Sequence, residues 1–236
     1  MNLNDLVSNY QQPPEARPVV EKSKITLLVG ISGAGKDTTK RALLATGEFM
    51  DIVSYTTRAP RSNNGVYEQD GVDYHFIDET KASAMLAHNE FIEAKLVHGT
   101  LYGTTLAELV RIQAAGKIAV TDIDVQGVRE YKVLSLAVVA IFILPPDYAT
   151  WRERLSKRYE TQAEFDAEWP RRSKTAIVEL EEALSLPYYH FIINDEIERT
   201  ATVAGEIARR GDVFKRADDE ARLAARDLLE SIRTQT

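Results

Sequence analysis

The chain has 236 residues, of which 44% are hydrophobic; it contains no cysteine and carries a formal net charge of −7 at pH 7. This length suits one large or two small hydrophobic cores. The acidic balance argues against a general nucleic-acid-binding protein, which would carry a basic surface. The lack of cysteine excludes a disulfide framework and a thiolate zinc site.

The N-terminal part of the sequence has little regular pattern. Residues 1–23 include Gln11-Gln12-Pro13-Pro14, which predicts an arm with weak order. The polar start lacks the basic and apolar segments of a signal peptide, so we expect a cytoplasmic location. The longest apolar run, residues 136–144, is too short to span a bilayer and predicts a buried strand, so we expect no membrane partner.

A glycine-rich loop directly follows the first apolar strand, residues 24–30, and precedes a helical pattern that runs to Gly47. The loop reads Gly30-Ile31-Ser32-Gly33-Ala34-Gly35-Lys36-Asp37-Thr38. Glycines at its first and sixth positions and the lysine that follows match most of the phosphate-binding pattern G-x-x-x-x-G-K-[ST]. Such glycines let backbone N–H groups turn toward phosphate oxygens, and a helix starting at the lysine adds its positive end. The simpler alternative is a tight strand-to-helix turn with an exposed lysine.

The next part of the chain has short, mixed elements. We predict a strand over residues 52–57, a helix over 79–88 and a strand over 91–97. Thr105-Leu106-Ala107-Glu108 has the spacing of a capping box and predicts the start of a helix that ends at Gly116. This segment is therefore predicted to form a small α+β insertion.

Regular alternation of strands and helices resumes at residue 117. Strands are predicted over residues 117–124, 137–144 and 189–194, with Asp147 capping a helix and a second helix over 163–185. The last helix has apolar residues at 225, 228, 229 and 232, so it must pack on another element. The alternation predicts an α/β fold with a mainly parallel sheet flanked by helices, and ligands then belong at the carboxyl ends of the strands.

The loop on such a sheet indicates a nucleoside triphosphate bound with Mg²⁺. Asp122, at a strand end, suits an acidic residue that orients the hydrated metal, although a strand-end aspartate can also be a simple cap. Arginines are the second indication, because guanidinium groups bind phosphates bidentately. Arg58 and Arg61 follow one predicted strand, and Arg154, Arg158 and Arg172 lie on the helices after another. Charged residues on a helix more often form only its solvent-exposed face.

Glu93 and Thr104 suggest which base is bound. An ionised carboxylate only accepts hydrogen bonds, and guanine offers an N1–H beside an amino group, whereas adenine offers an acceptor at N1. A site built on such bonds rejects the wrong base strongly, because mispairing leaves buried groups unsatisfied. The pair therefore favours a guanine nucleotide.

From about residue 24 to residue 210 the sequence closely resembles guanylate kinases, the ATP:GMP phosphotransferases. Seven motifs in order carry the resemblance: GISGAGKDT (30–38), SYTTRAPR (54–61), DGVDYHF (70–76), NEFIEAKLVHGTLYGTT (89–105), TDIDVQG (121–127), FILPP (142–146) and IIND (192–195). The resemblance implies transfer of the γ-phosphoryl group of ATP to GMP and dGMP, with Mg²⁺, to give ADP and GDP.

The resemblance also implies a division of the chain and a role for each site residue. The resemblance divides its part of the chain into a P-loop core (24–51, 106–149 and 179–210), a GMP-binding subdomain (52–105) and a helical lid (150–178), and the sequence pattern adds an N-terminal arm (1–23) and a C-terminal helical extension (211–236). The expected base-reading residues are Ser54, Glu93, Thr104 and Asp124, and the expected GMP-phosphate residues are Arg58, Arg61, Tyr74 and Tyr102. ATP is expected at Gly30, Ser32, Gly33, Ala34, Gly35, Lys36, Asp37, Thr38, Arg154 and Asn194; Mg²⁺ at Asp37 and Asp122, partly through water; and catalysis by Lys36, Arg58, Arg154, Arg158 and Arg172. No histidine need be catalytic, because the acceptor is already a phosphate anion; His75 and His98 are expected to be structural.

Three features depart from the family pattern. Asp37 replaces the usual serine, which puts a negative charge beside the β-phosphate. The segment 157–159 lacks the glycines that usually flank the lid arginine, and the loop 62–70 is longer than usual.

Two other functions stay open. A non-catalytic guanylate-kinase-like interaction module usually loses the loop lysine or the lid arginines, and this chain keeps both. A kinase of another phosphorylated acceptor, such as a sugar phosphate, would not need the base-reading residues. The oligomeric state, monomer or homodimer, is left open.

Overall fold

The structure is a computed structural model that describes residues 2–63, 65–97, 99–211 and 218–235. It divides into two compact units. The first comprises Met1–Lys24, Met50–Ala119 and Glu130–Leu136, and the second comprises Ile25–Phe49, Val120–Arg129 and Ala137–Thr236.

The helices and strands alternate along most of the chain. In order they are α1 (Leu3–Ser8), α2 (Ala16–Lys22), β1 (Ile25–Val29), α3 (Lys36–Ala45), β2 (Phe49–Asp51), β3 (Tyr55–Thr56), β4 (Ser62–Asn63), β5 (Val66–Tyr67), β6 (His75–Phe76), α4 (Glu79–Ala87), β7 (Phe91–Val97), β8 (Thr100–Thr105), α5 (Leu106–Ala114), β9 (Ile118–Asp122), α6 (Val125–Leu134), β10 (Val139–Leu144), α7 (Tyr148–Ser156), α8 (Gln162–Ser185), β11 (Tyr189–Ile193), α9 (Ile197–Arg210) and α10 (Asp218–Gln235).

The larger sheet has five strands in the order β11-β10-β1-β9-β2. Strands β1, β10 and β11 run parallel, with Thr26 opposite Val139 and Ala140 opposite Tyr189. Every residue of β1 and β10 is buried, as expected of parallel strands that are covered on both faces. The predicted α/β fold with a mainly parallel sheet is confirmed.

Helices α7 and α8 of the second unit share an aromatic cluster. Trp151 is fully buried, and its ring lies 5.1 Å from that of Trp169, which in turn lies 5.3 Å from Phe165. The predicted cap at Asp147 is present, because its side chain accepts a hydrogen bond from the Thr150 amide at 2.7 Å. A capping box that the sequence analysis missed begins α8, where Thr161 and Glu164 bond each other's backbone amides.

The first unit contains a second sheet with the order β6-β3-β8-β7 and a two-stranded pair, β4 and β5. The predicted strand over residues 52–57 is wrong in extent, because β2 ends at Asp51 and β3 covers only Tyr55–Thr56. Residues 52–54 link one sheet to the other. Outside the ladders, the Val53 amide donates to Glu108 Oε2 at 3.1 Å.

That bond also explains why the predicted capping box at Thr105 is wrong. Thr105 stands at the start of α5 but makes no side-chain capping bond. Glu108 is instead bound by the Val53 amide and by Arg111, whose NH2 donates to Oε2 at 2.7 Å. Its carboxylate is therefore not available to reach back to the helix start.

Residues 1–23, for which the sequence predicted weak order, include α1 and α2. Leu3, Leu6 and Val7 pack against a buried cluster that contains Met85 and Phe91. Burial of these apolar side chains stabilises the folded arm. None of the helices in the described ranges is both long and apolar enough to cross a membrane.

Candidate active site

The glycine-rich loop between β1 and α3 has the backbone that phosphate binding requires. Gly30, Gly33 and Gly35 have φ angles of 141°, 88° and 99°, which L side chains rarely adopt. A Cβ at Gly30 would lie 2.3 Å from the Ile143 oxygen, and one at Gly35 would lie 2.0 Å from Asn194 Nδ2. Only glycine fits at either position.

Lys36 begins α3 and turns back over this loop. Its Nζ donates to the Gly30 oxygen at 2.5 Å and lies 3.4 Å from the Ile31 oxygen. Burial lowers the pKa of Lys36. The nearby carboxylates of Glu179, Asp122 and Asp37 oppose this effect, but the pKa stays below its ordinary value. The ammonium group is thus held by carbonyl oxygens that a bound phosphate can replace.

Asp122 and Asp37 are the carboxylates expected to hold Mg²⁺. Asp122 Oδ1 lies 2.9 Å from Lys40 Nζ. Burial raises the pKa of Asp122, but the charge and hydrogen bond of Lys40 together with the charge of Lys36 outweigh it, so that the pKa is lowered. Asp37 is exposed in the first turn of α3. The described residues contain no group of three acidic, histidine or cysteine side chains that could hold a metal ion. This donor set fits Mg²⁺, which is usually held by one or two carboxylates with water and substrate phosphates.

Asn194, at the end of β11, braces the loop. Its Nδ2 donates to the Ala34 oxygen at 2.8 Å, and its Oδ1 accepts from Thr200 at 3.2 Å. Its main-chain oxygen accepts from both terminal nitrogens of Arg154, each at 3.2 Å. The residue is only 5% exposed, so these contacts are shielded from water.

Two of the three predicted lid arginines contact the glycine-rich loop or Asn194, which supports that loop. Arg154 contacts Asn194, and Arg158 donates to Ser32 Oγ at 3.1 Å. The main-chain oxygen of Ser32 accepts from the Trp151 indole N–H at 2.8 Å, which ties α7 to the loop. Arg172 has a different partner, since its Nε donates to the Tyr159 hydroxyl at 3.0 Å.

Three of the four predicted base-reading residues come together in the first unit. Thr104 donates to Glu93 Oε1 at 2.9 Å, and the Ser54 hydroxyl lies 3.5 Å from that of Thr104. Because Thr104 gives its only hydroxyl proton to Glu93, a bond between the hydroxyls requires Ser54 as the donor. Glu93 is 7% exposed and Thr104 is 1% exposed. Asp124 belongs to the second unit, where it accepts from the Gly127 amide at 2.7 Å.

Arg58, Tyr74 and Tyr102 also lie together in the first unit. The Tyr74 and Tyr102 ring centroids are 6.0 Å apart, and the Arg58 guanidinium lies 5.2 Å from the centroid of Tyr74. The two terminal nitrogens of Arg58 donate to Glu68 at 2.7 and 2.9 Å, and this hydrogen-bonded pair raises the pKa of Arg58. Glu68 Oε2 accepts in addition from the Arg61 amide at 2.7 Å, while the Arg61 side chain is exposed.

Two acidic residues hold this region, Glu68, which no sequence pattern singled out, and Glu108, for which the sequence predicted only a capping role. Strands β4 and β5 pair antiparallel, with Ser62 opposite Tyr67, and Glu68 follows directly and reaches Arg58. Glu108 binds the Val53 amide, and its Oε1 lies 3.5 Å from His75 Nε2. His98, the other histidine expected to be structural, lies outside the described residues.

Two further groups, the fully buried Tyr131 and the half-buried Glu179, had no sequence signal. Tyr131 on α6 is fully buried; burial raises the pKa of its hydroxyl, and the charge of Glu93 adds to the effect. Glu179 on α8 interacts with Lys36, and burial raises the pKa of Glu179 to about 7. Both lie on helices whose pattern indicates only packing.

Known proteins resemble this chain over most of its length. The family model described as guanylate kinase matches residues 22–208. A guanylate kinase from Methylobacillus flagellatus is 36% identical over 178 residues, which is 75% of this chain and 84% of the relative. Guanylate kinase 1 of Oryza sativa subsp. japonica is 34% identical over 181 residues, which cover 75% of this chain and 46% of that protein.

A solved structure agrees with the sequence matches. The crystal structure of guanylate kinase from Anaplasma phagocytophilum aligns with a TM-score of 0.58 at 29% identity, covering 88% of this chain and 93% of that one. The fold, the glycine-rich loop and the buried Glu93–Thr104 pair accompany a family match over most of the chain. The chain belongs to the guanylate kinase family.

Proposed function

We propose that this protein is an ATP-dependent GMP kinase that transfers the γ-phosphoryl group of ATP to GMP, and also to dGMP, giving ADP and GDP. Membership of the guanylate kinase family supports this reaction. The buried Glu93 carboxylate, fixed by Thr104, carries the choice of GMP as acceptor.

Glu93 is suited to guanine by its charge and its burial. One of its oxygens is bound by Thr104, and an ionised carboxylate can accept both the N1–H and the amino protons of guanine. In a site that is only 7% exposed, adenine would place its N1 acceptor against this carboxylate, without a proton to share. The base is therefore selected by the cost of leaving buried groups unpaired. Asp124 stays a predicted fourth base contact.

On the donor side, the loop glycines and Lys36 hold the phosphates of ATP. The amides of the loop and the start of α3 point positive dipoles at the anion, and Lys36 exchanges its carbonyl partners for phosphate oxygens. Arg154 and Arg158 already contact this loop or its brace and add positive charge to the transferring group. Arg172 must leave Tyr159 to take part.

Asp37 and Asp122 are the residues that would hold Mg²⁺, directly or through water. When bound, the metal supplies charge neutralisation at the β- and γ-phosphates. Asp122 must share its carboxylate with Lys40, and Asp37 is exposed to solvent in the first turn of α3.

On the acceptor side, Arg58, Arg61, Tyr74 and Tyr102 hold the phosphate of GMP. The planar guanidinium of Arg58, which now bonds Glu68 bidentately, can bond two phosphate oxygens in the same way. No side chain need remove a proton, because the acceptor oxygen is already anionic. Catalysis then consists of alignment and neutralisation of two polyanions.

The test measures ADP release from ATP with GMP, dGMP, AMP, CMP and UMP offered in turn. We expect turnover with the guanine nucleotides alone. GMP binding without turnover would support an interaction module, and neither binding nor turnover of GMP would favour a different phosphorylated acceptor.

The role of Glu93 has its own test. Glu93→Ala should lower kcat/KM for GMP by about 100-fold or more and leave KM for ATP nearly unchanged. The exposed Glu90, three residues earlier, offers a matched control in Glu90→Ala. Equal losses for both nucleotides would refute the base-reading role. The cytoplasmic location, the lack of nucleic-acid and membrane partners, and the monomeric or homodimeric state stay predictions.

A further inference from the structure

Residues 2–21 of the N-terminal arm lie outside the segment that matches the family model, yet they contact the strand that carries Glu93. The arm and β7 belong to the same compact unit. Its contacts fall on the first two residues of β7, Phe91 and Ile92, directly before Glu93.

The start of β7 is irregular. Phe91 pairs with Thr105 and Glu93 pairs with Thr104, so β7 has one more residue than β8 between these pairs. Such a bulge leaves backbone groups without ladder partners and sets the direction of the side chain that follows. The direction of Glu93 therefore depends on how the bulge at Ile92 is held.

Two side chains of the N-terminal arm hold it. The Tyr10 hydroxyl donates to the Phe91 oxygen at 2.6 Å and accepts from the Phe91 amide at 2.8 Å. Gln12 Nε2 donates to the Ile92 oxygen at 2.8 Å. The arm thus supplies three hydrogen bonds to the two residues that precede the carboxylate.

The arm is itself anchored at both ends. Leu3, Leu6 and Val7 pack on the apolar cluster around Phe91, and the Tyr10 ring meets the Phe91 ring edge-on at 6.3 Å. Arg17 donates to the Leu134 oxygen at 2.9 Å, at the end of α6. These contacts therefore hold the Tyr10 hydroxyl and the Gln12 side-chain amide in place beside the bulge.

Phe91 and Ile92 are fully buried, but there is space beside them: a pocket of about 500 Å³, open to solvent, is lined by Tyr10, Gln12, Ile92 and Glu93. On the other side there is no slack, since a Cβ at Gly103 would lie 2.7 Å from the Phe91 ring and 2.8 Å from the Glu93 oxygen. If the bulge moves, it moves toward the arm, and the hydrogen bonds from Tyr10 and Gln12 oppose that movement.

We propose that Tyr10 and Gln12 are positioning residues for Glu93, so that the N-terminal arm sets how well the enzyme recognises the guanine amino group. This inference rests on the proposed base-reading role of Glu93. Tyr10 and Gln12 act through the backbone of Phe91 and Ile92 and need not touch the nucleotide.

The experiment compares kcat/KM for GMP with that for IMP, whose base keeps N1–H and lacks the amino group. The full-length variants Tyr10→Phe and Gln12→Met remove the hydrogen bonds and keep the shape of each side chain. We expect the GMP/IMP ratio to fall by about fivefold in each variant, with KM for ATP within about twofold of the wild type. Asn9→Ala, on the same arm and away from β7, should leave the ratio unchanged.

Glu93→Gln separates the two levels of the proposal. If Glu93→Gln keeps the wild-type GMP/IMP ratio, the base-reading role itself is wrong. If Glu93→Gln lowers the ratio and Tyr10→Phe does not, the positioning role is overturned while the proposed function stands. Equal losses of kcat/KM for GMP and IMP would likewise overturn it, because they indicate only a structural role. Should Gln12→Met fail to fold, Tyr10→Phe decides alone, since it retains the ring contact with Phe91.

Discussion

The side-chain amide of Asn194 donates a hydrogen bond of 2.8 Å to the main-chain oxygen of Ala34, across 160 residues of sequence. The resemblance places Asn194 near the adenosine of ATP. Its contacts give it a second task, because the same residue also accepts from Arg154 and Thr200. It links the glycine-rich loop, α7 and α9 through one buried side chain and its backbone.

Asn194→Asp should damage this brace more than its small change in shape suggests. The donor that faces the Ala34 oxygen becomes a carboxylate oxygen in a position only 5% exposed. We expect a loss of about 2–4 kcal/mol in the free energy of unfolding and a rise of about tenfold or more in KM for ATP. Denaturant unfolding and steady-state kinetics measure the two effects. Asp195→Asn, at the exposed neighbouring residue, is the control, and a variant as stable as this control would contradict the role of the brace.

Glu179→Gln should change how stability depends on pH. Burial, with smaller contributions from Asp124 and Glu182, raises the pKa of Glu179 from 4.5 to about 7, and Lys36 opposes the shift. A raised pKa means that the stability linked to this group is complete below pH 4.5 and is lost as the pH rises through about 7. The neutral variant avoids this loss. We therefore expect its free energy of unfolding, relative to wild type, to rise by about 2 kcal/mol between pH 4.5 and pH 8.

Urea unfolding across that pH range is the measurement for Glu179→Gln, with the exposed Glu160→Gln as the control. If the free energy of unfolding depends on pH in the same way in Glu179→Gln and in the wild type, folding does not raise the pKa of Glu179.

Glu108→Ala should destabilise the first unit. The substitution leaves the buried Val53 amide without its acceptor and frees Arg111 and His75 from their common carboxylate. We expect a loss of about 2–3 kcal/mol at pH 7, measured by chemical unfolding. Burial raises the pKa of Glu108, but the hydrogen bonds from Arg111 and Val53 and the charges of Arg111 and His75 together outweigh it, so that the pKa is lowered. The contribution is therefore present above pH 4.5 and is lost as the pH falls through the lower folded value. Gln113→Ala, exposed on the same helix, should cost little, and similar losses for both would count against this account.

Asp37→Ser restores the hydroxyl that most phosphate-binding loops carry. If the carboxylate takes part in holding Mg²⁺, the variant should need a different Mg²⁺ concentration for half-maximal rate, with a shift of about threefold or more. Titration of Mg²⁺ at saturating ATP and GMP measures it. An unchanged titration and an unchanged kcat would mean that Asp37 has no part in metal binding.

The parallel sheet, the glycine-rich loop and the importance of Glu93 and Thr104 could be predicted from the sequence, because each depends on a local pattern. Apolar runs mark buried strands, glycine spacing marks the loop, and one family motif, residues 89–105, contains both Glu93 and Thr104. The features that could not be predicted depend on contacts between residues that are distant in the sequence. Glu108 has capping-box spacing, and only the arrival of Val53 from another element decides otherwise. The order in residues 2–23 arises in the same way, from apolar contacts with Phe91 and Met85.

Helix α10 has a practical consequence for any fragment made from this chain. The family match ends at residue 208, but Ala225, Leu228 and Ile232 beyond it are buried. Arg222 donates to the Tyr189 oxygen at 2.8 Å and stacks 4.7 Å from the centroid of Phe191, on the edge strand β11. A fragment cut at the family boundary would present an uncovered apolar strip and an unprotected sheet edge, which invites self-association. The shortest well-behaved version of this kinase is therefore expected to run about a helix longer than its family alignment.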